Sequence, residues 1–148
     1  GERTPHNDSE IRASFVNIDV SANQNDLTQS VLEGVSFALR DNLEALKNVG
    51  TNISTAITIG GGSNSSYWLE LIATVLKIDL DIPEKSDFGA AFGAAKLAII
   101  GVTGAKPDDI IKKPRISKKI SPKKELIKLY DEAYYKYQSI YPTLKLIK

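Results

Sequence analysis

Residues 55–65 read TAITIGGGSNS, a β-branched and apolar run that ends in three glycines. Such a run is typical of a buried strand that stops at a tight loop, and the apolar spacing of residues 67–77 predicts a helix directly after it. Ser63 and Asn64 are expected to cap that helix through their side-chain oxygens. Because glycine has no Cβ, a ligand can lie directly on the loop backbone, and the first-turn N–H groups of the helix favour an anion. The pattern therefore predicts a nucleotide site, with a glycine-rich turn that binds nothing as the alternative.

The composition is that of an ordinary globular protein, and it excludes several kinds of site. The 148 residues suit one domain at most, with 42% hydrophobic and 25% charged residues. The absence of cysteine excludes disulfides, thiolate zinc sites and a cysteine nucleophile, and the single histidine, His6, excludes a histidine-based triad. No apolar run is long enough to span a membrane, and no hydrophobic segment of a secretory signal opens the chain. We therefore expect a cytoplasmic protein with no membrane partner. Because the chain starts in a loop-like stretch without methionine, we also expect a piece of a longer protein.

Charge is unevenly distributed along the chain. Residues 1–105 hold 7 basic and 13 acidic side chains, whereas residues 106–148 hold 12 basic and 5 acidic ones. A basic terminus is compatible with nucleic acid binding, but no aromatic stacking motif accompanies this one, so we expect a solvated surface and no nucleic acid partner. The lysines concerned lie around prolines and before a helix: Lys112, Lys113, Lys118, Lys119, Lys123 and Lys124.

Apolar spacing predicts the remaining elements. Residues 78–82 alternate apolar and acidic side chains, as a strand with one buried face does. Gly89 and Gly93 lie four apart on one face of a predicted helix. Because glycine costs about 1 kcal/mol per position inside a helix, we expect another element to approach that face closely. Helical spacing covers residues 26–50, 67–77, 87–100 and 122–141, and the Gly-, Pro- and Lys-rich residues 101–121 are expected to form a linker.

The order of these elements indicates an α/β fold. Only residues 55–59 and 78–82 have convincing strand patterns, and two strands cannot cover the apolar faces of the predicted helices. We therefore expect a sheet that is incomplete in this chain and is completed by residues upstream of Gly1.

Several motifs resemble those of the FGGY carbohydrate kinases. Residues 13–34 are similar to the family's downstream signature, although Asn17 stands where the family usually has glycine. Residues 60–65, followed by Trp68, resemble the family's adenosine motif. Residues 1–8 resemble the segment that separates the family's D-xylulose-phosphorylating branch from glycerol kinases.

The resemblance runs nearly end to end and implies an architecture. Residues 87–95 resemble the second connecting helix of the actin-like ATPase fold, and residues 130–146 resemble a Tyr-rich terminal helix. The chain would then belong to a ribonuclease H-like (actin-like ATPase) domain, with residues 1–148 forming the C-terminal part of the second, nucleotide-binding domain and residues 122–141 its C-terminal helix. The phosphate loop, the catalytic aspartate and the sugar pocket would lie upstream. The resemblance thus implies that no catalytic residue lies in this chain and that the chain alone is inactive.

The resemblance also implies an activity. This is ATP-dependent phosphorylation of a ketose, D-xylulose to D-xylulose 5-phosphate, with ATP and Mg²⁺ held mainly by residues outside this chain. Gly62 and Ser66 stand where related sugar kinases contact the nucleotide, although some relatives have an amide side chain in place of Ser66. The implied partners are ATP or ADP and a sugar bound by the upstream part, and a homodimer is left open. The residues expected to hold the adenosine, none of them a metal ligand, are Gly60, Gly61, Gly62, Ser63, Asn64 and Ser66.

Two other interpretations stay open. Gly60-x-Gly62-x-x-Ser65 approximates the dinucleotide-binding pattern of an NAD-dependent dehydrogenase, and Asp79 or Asp81 follows about 20 residues later, where an acid would bind a ribose. Against this, a long amphipathic helix precedes the loop, and the third glycine of the pattern is serine. The other alternative is a non-enzymatic interaction module that uses the basic terminus, which predicts salt-sensitive binding to nucleic acid.

Overall fold

A computed structural model describes residues 1–84 and 89–147. These residues form an α/β arrangement with a three-stranded sheet of order β1-β2-β3, in which β1 and β2 are parallel and β3 runs antiparallel to β2. The elements are α1 (Gln24–Asn48), β1 (Thr55–Ile57), α2 (Ser66–Leu76), β2 (Asp79–Pro83), α3 (Ala90–Thr103), α4 (Pro107–Ile110), β3 (Ile116–Ile120), α5 (Ile127–Gln138) and α6 (Ile140–Leu146), with 3-10 turns at Gly61–Asn64 and Lys124–Leu126.

Helix α1 begins at a capping box. The side-chain oxygen of Asn23 accepts a hydrogen bond from the backbone N–H of Asn25 (2.8 Å), and the carboxylate of Asp26 accepts one from the N–H of Asn23 (2.9 Å). The helix ends at Asn48, shortly before Gly50, whose φ of +90° suits only a residue without a Cβ. The predicted helix over residues 26–50 is confirmed to within two residues at each end.

The hydrophobic core lies between α2, the sheet, α1 and α5. Ala73 and Val75 in α2 are fully buried, and Leu80 in β2 is 2% exposed. Helix α2 ends at Leu76, and the next residue, Lys77, has a left-handed φ of +58° that turns the chain towards β2. Because removal of these apolar side chains from water stabilises the packing, α2 is a fixed support for the loop that precedes it.

Both predicted strands are present with shifted ends. Strand β1 pairs with β2 in the register Ala56↔Leu80 and stops at Ile57, two residues earlier than the predicted end of 55–59. Strand β2 spans Asp79–Pro83, one residue later than the predicted 78–82. Strand β1 has a single neighbour among the described residues, so it lies at an edge of this sheet.

The linker predicted for residues 101–121 is wrong. The segment contains the end of α3, helix α4 and strand β3. No alternation reveals β3, because only Ile120 of its residues is buried and two lysines lie side by side within it. One of them, Lys119, instead pairs with Asp79 on β2, with 3.3 Å between Nζ and Oδ2. The expectation of two strands is therefore corrected to three in the part of the chain that the structure describes.

Helix α3 lies on the outside of the described structure. It begins at Ala90, whereas residues 87 and 88 of the predicted helix 87–100 lie outside the described residues. None of its 14 residues is buried, and a Cβ added at Gly89 or Gly93 would meet no atom within 4 Å. The close approach predicted at these glycines is therefore not made by any part of the chain that the structure describes. Although α3 is apolar, no helix in the described ranges has both the length and the apolar character needed to cross a membrane.

The terminal helix predicted for residues 122–141 is two helices in the structure. After the 3-10 turn, α5 ends at Gln138 and α6 begins at Ile140. Pro142, expected near the end of the helix, lies in the first turn of α6. A proline is tolerated there because its missing N–H would have no helical partner.

The two ends of the chain contact each other. Glu2 and Asp8 form an antiparallel bridge near the start of the chain. The hydroxyl of Tyr141 in α6 donates a hydrogen bond to Asp8 Oδ2 (3.1 Å), and its ring stacks on His6 with 3.5 Å between centroids. His6 and Asp8 therefore join the start of the chain to α6.

Candidate functional site

The loop between β1 and α2, residues 60–65, is named the glycine loop. Gly60 has φ +84° and ψ −179°, a conformation that is essentially restricted to glycine. The backbone N–H and the hydroxyl of Ser63 both donate to the carbonyl oxygen of Gly60, at 3.1 and 2.6 Å. Residues 61–64 thus close into one compact 3-10 turn at the end of β1.

The prediction that Ser63 and Asn64 cap α2 is wrong. The N-cap is Ser65, whose hydroxyl oxygen accepts a hydrogen bond from the backbone N–H of Trp68 at 3.3 Å. The physical reason is the 3-10 turn, which takes up Ser63 and Asn64 and leaves Ser65 as the residue directly before α2. The helix spans Ser66–Leu76, one residue earlier at each end than the predicted 67–77. The hydroxyl of Ser63 serves the loop itself, because it donates to Gly60.

The three consecutive glycines have different surroundings. A Cβ added at Gly61 would meet no atom within 4 Å, and Gly61 is exposed. A Cβ added at Gly62 would lie 2.9 Å from Cζ3 and 3.3 Å from Cε3 of Trp68, closer than side chains pack. The backbone conformation requires a glycine at position 60, and the ring of Trp68 requires one at position 62. Neither reason applies to Gly61.

The ring of Trp68 contacts Gly62 with one edge, and its N–H on another edge is bound by α1. Its indole N–H points at the carbonyl oxygen of Leu32 and at Oγ of Ser36, with 3.3 Å to each. The preceding residue forms a second link between the helices, since the hydroxyl of Tyr67 donates to Oε1 of Gln29 at 2.6 Å. The start of α2, and with it the glycine loop, is therefore tied to α1.

The sequence-predicted site residues lie together. Gly60, Gly61, Gly62 and Ser63 belong to one turn, Asn64 ends that turn, and Ser66 begins α2. All of them except the half-buried Ser63 are exposed, as a surface that receives a ligand must be. The structure brings these residues to one place, and their contact with a nucleotide stays a prediction.

The acidic residues considered for a ribose lie on β2 and are engaged with β3. Hydrogen bonds from Ser121 and Lys119 hold the pKa of Asp79 below its usual value. Lys119 also lies 3.9 Å from Oδ1 of Asp81. Among the residues that the structure describes, no group of His, Cys, Asp or Glu side chains is arranged to hold a metal ion.

Sequence reasoning missed the part that α1 plays at this site. Trp68 stood out only as the aromatic residue that follows the loop motif, and Ser36 was not singled out at all. The sequence offered no clear signal, because Ser36 is one of several polar residues in α1 and only the structure shows that it is fully buried. Buried polar side chains need partners, and here the partners are the indole of Trp68 and the carbonyl of Leu32.

Comparison with known proteins gives consistent results along the chain. A xylulose kinase from Staphylococcus xylosus is 30% identical over 143 residues, which cover 95% of this chain and 29% of that protein. The crystal structure of a xyloylose kinase from Brucella ovis superposes with a TM-score of 0.89 and 50% identity, covering 100% of this chain and 31% of that chain. A xylulose kinase from Rhodospirillum rubrum superposes with a TM-score of 0.75 and 27% identity, over 95% of this chain and 29% of that chain.

The chain spans about 30% of the length of the relatives it matches. Its α/β fold is that of FGGY kinases, which have the actin-like ATPase fold. The family match leaves the dinucleotide-binding alternative without support. Residues 1–102 match the model of the FGGY family of carbohydrate kinases, C-terminal domain, and the chain therefore belongs to this family.

Proposed function

We propose that this chain supplies the adenosine-binding part of an ATP-dependent sugar kinase and that the glycine loop is the surface on which the adenosine lies. The observation that carries the proposal is Gly61, which is exposed, has open space where a Cβ would stand, and has a backbone that does not require glycine. A glycine that neither strain nor packing explains is expected where a ligand contacts the backbone. Gly60, Gly62, Ser63, Asn64 and Ser66 complete the proposed surface.

Catalysis of phosphoryl transfer depends mostly on positioning and on stabilisation of charge. ATP bound there would supply the transferable γ-phosphoryl group, and this chain would fix the other end of the nucleotide. We assign Mg²⁺ to the phosphates and to residues of the rest of the kinase. The catalytic aspartate is assigned to that part as well, as the family resemblance implies.

We further propose that α3 faces the remainder of the kinase as a connecting helix. Its apolar side chains are exposed in this chain, with Phe92 41%, Leu97 64% and Val102 88% exposed. An apolar surface of this kind marks an interaction site, and most of the length of the relatives lies outside this chain. Residues 1–148 are then the C-terminal part of the second domain, with α5 and α6 as its terminal helices.

The proposed sugar is D-xylulose, phosphorylated on its 5-hydroxyl. The proposal rests on the relatives reported above, which are xylulose kinases. A cytoplasmic location and a homodimer remain predictions.

The experiment is steady-state kinetics on the full-length protein that carries this chain, with ATP and either D-xylulose or glycerol. We expect turnover with D-xylulose in preference to glycerol. Gly61→Ala should raise KM for ATP about tenfold, because its methyl group occupies the adenosine surface, while KM for the sugar stays unchanged. Tyr135→Leu, which alters an exposed aromatic residue on α5, is the control and should change neither constant. Unchanged KM for ATP in a folded Gly61→Ala protein would move the nucleotide away from the glycine loop.

A further inference from the structure

We propose that Trp68 is the positioning residue of the glycine loop, and that residue 62 is a glycine because a Cβ there would meet the ring of Trp68. The inference rests on the proposed function, since it concerns how the adenosine surface is held. Within the proposed surface, the ligand accounts for the glycine at position 61, and the indole of Trp68 accounts for the glycine at position 62.

The first step concerns the identity of Gly62. Its backbone lies outside the left-handed region, so conformation alone permits any residue. The space does not, because a Cβ would stand 2.9 Å from Cζ3 of Trp68. The neighbour is part of a rigid aromatic ring and not the flexible end of a long side chain, so the ring or the loop has to move as a whole.

The second step concerns the freedom of the indole. Trp68 belongs to the first turn of α2, and its backbone N–H is bound by Ser65. Its ring N–H is directed at Leu32 and Ser36 of α1, and Ser36 is fully buried. The hydroxyl of Ser36 donates its proton to the Leu32 carbonyl at 2.7 Å, which leaves the lone pairs of Oγ to accept from the indole. Trp68 is therefore held by hydrogen bonds at its backbone N–H and at its ring N–H. The ring cannot move away from Gly62 without weakening them.

The consequence is a mechanical link from α1 to the loop. The indole fixes the position of Gly62. The 3-10 turn, which is closed by the hydrogen bond from Ser63 to the Gly60 carbonyl, links the position of Gly61 to that of Gly62. A change that displaces the indole should weaken nucleotide binding without touching the nucleotide. Because the sugar pocket is assigned to another part of the kinase, KM for the sugar should not follow.

The test is a double-mutant cycle on the full-length protein, with the affinity for ADP measured by calorimetry and the KM values for ATP and sugar measured alongside. Gly62→Ala alone should weaken ADP binding about tenfold, because its methyl group pushes the loop off the indole. In the Trp68→Leu background the ring atoms are gone, and adding Gly62→Ala should change ADP affinity by less than about twofold. Ser36→Ala removes one acceptor of the indole and should weaken ADP binding in the same direction with unchanged KM for the sugar.

Equal fold-changes for Gly62→Ala in both backgrounds would overturn the inference, since the loss of affinity would then not depend on the ring of Trp68. Gly61→Ala, run in parallel, reports on the proposed function separately: if it leaves ADP affinity unchanged, the adenosine site is elsewhere whatever the cycle shows. Thermal midpoints are recorded for every variant. If Trp68→Leu does not fold, Trp68→Met, an apolar side chain without ring atoms, takes its place in the cycle.

Discussion

At the scale of single residues, the glycine loop shows that identical residues in sequence have different physical roles. The sequence predicted the loop, its position after a strand and the helix behind it. It could not divide the roles of Gly60, Gly61 and Gly62, because these depend on the direction of each missing Cβ. Nor could it place the cap at Ser65, because the 3-10 turn that displaces the cap is held by Ser63 on Gly60.

Gly60→Ala should destabilise the protein. A side chain at φ +84° and ψ −179° costs about 1–3 kcal/mol, and it would also shift the carbonyl to which Ser63 donates. Unfolding in urea measures the free energy of unfolding directly. Gly61→Ala is the matched control and should change that free energy by less than about 0.5 kcal/mol, because its backbone is unstrained and its surroundings are open. Equal stability of the two variants would show that the backbone at Gly60 does not need glycine.

At the scale of elements, ion pairs and aromatic rings join α5 to α1 and α2. Asp131 in α5 lies 2.8 Å from Arg40 in α1 and 2.7 Å from Lys77 at the end of α2. The guanidinium of Arg40 stacks 4.1 Å from the ring centre of Tyr134, whose hydroxyl donates to Asp41. Burial and the bond to Asp41 raise the pKa of Tyr134 well above its usual value. This cluster fixes α5 beside the helix that supports the glycine loop.

Asp131→Asn should destabilise the protein by about 1–3 kcal/mol at pH 7, because it removes the counter-ion of Arg40, whose side chain is only 11% exposed. Burial raises the pKa of Asp131, but hydrogen bonds from Lys77 and Arg40 outweigh this and hold the pKa below the ordinary 3.8. A lowered pKa in the folded state stabilises the protein above pH 3.8 and loses that contribution as the pH falls through the folded-state pKa. The stability difference between wild type and Asp131→Asn should therefore be constant near neutrality and shrink below about pH 4.

Urea unfolding between pH 3 and pH 7 measures this difference. Glu132→Gln, an exposed neighbour on the same helix, is the control and should stay within about 0.5 kcal/mol of wild type across the range. A difference between wild type and Asp131→Asn that does not vary with pH would show that the charge of Asp131 is not what stabilises α5.

The elements that the sequence did not predict are not marked by a pattern of buried apolar side chains. Strand β3 is joined to β2 by backbone hydrogen bonds and by Lys119 pairing with Asp79, so it carries no apolar alternation. The break between α5 and α6 at Ser139 also leaves the apolar spacing nearly intact. Patterns of burial reveal α1, α2 and β2, whereas elements placed by charge or by small changes of backbone direction need the structure.

At the scale of the whole molecule, α3 is the element whose environment this chain does not explain. It follows the β2 strand, has an apolar sequence and is not buried by any described residue. The chain covers 31% of the Brucella ovis kinase that it resembles at 50% identity, so a much larger part of that protein is available to cover an equivalent helix. Outside α3, no described residue, including those of the domain's own sheet, lies within 4 Å of the position of a Cβ at Gly93. The sheet therefore does not explain why this residue is a glycine.

Gly93→Leu should lower turnover more than it lowers stability in the full-length protein. If α3 is the connecting helix, a bulky residue at Gly93 separates α3 from the element across the domain boundary and impairs closure around the substrates. Because no described atom lies near the position, the new side chain should not overpack this domain, and we expect a fall in kcat of about tenfold with a thermal midpoint within a few degrees of wild type. Gly93→Ala is the graded control, since alanine favours the helix by up to about 1 kcal/mol and adds one methyl group, so its turnover should stay close to wild type. Melting temperature and turnover measured on both variants decide the matter: normal turnover in Gly93→Leu, with or without a loss of stability, would remove α3 from the domain boundary.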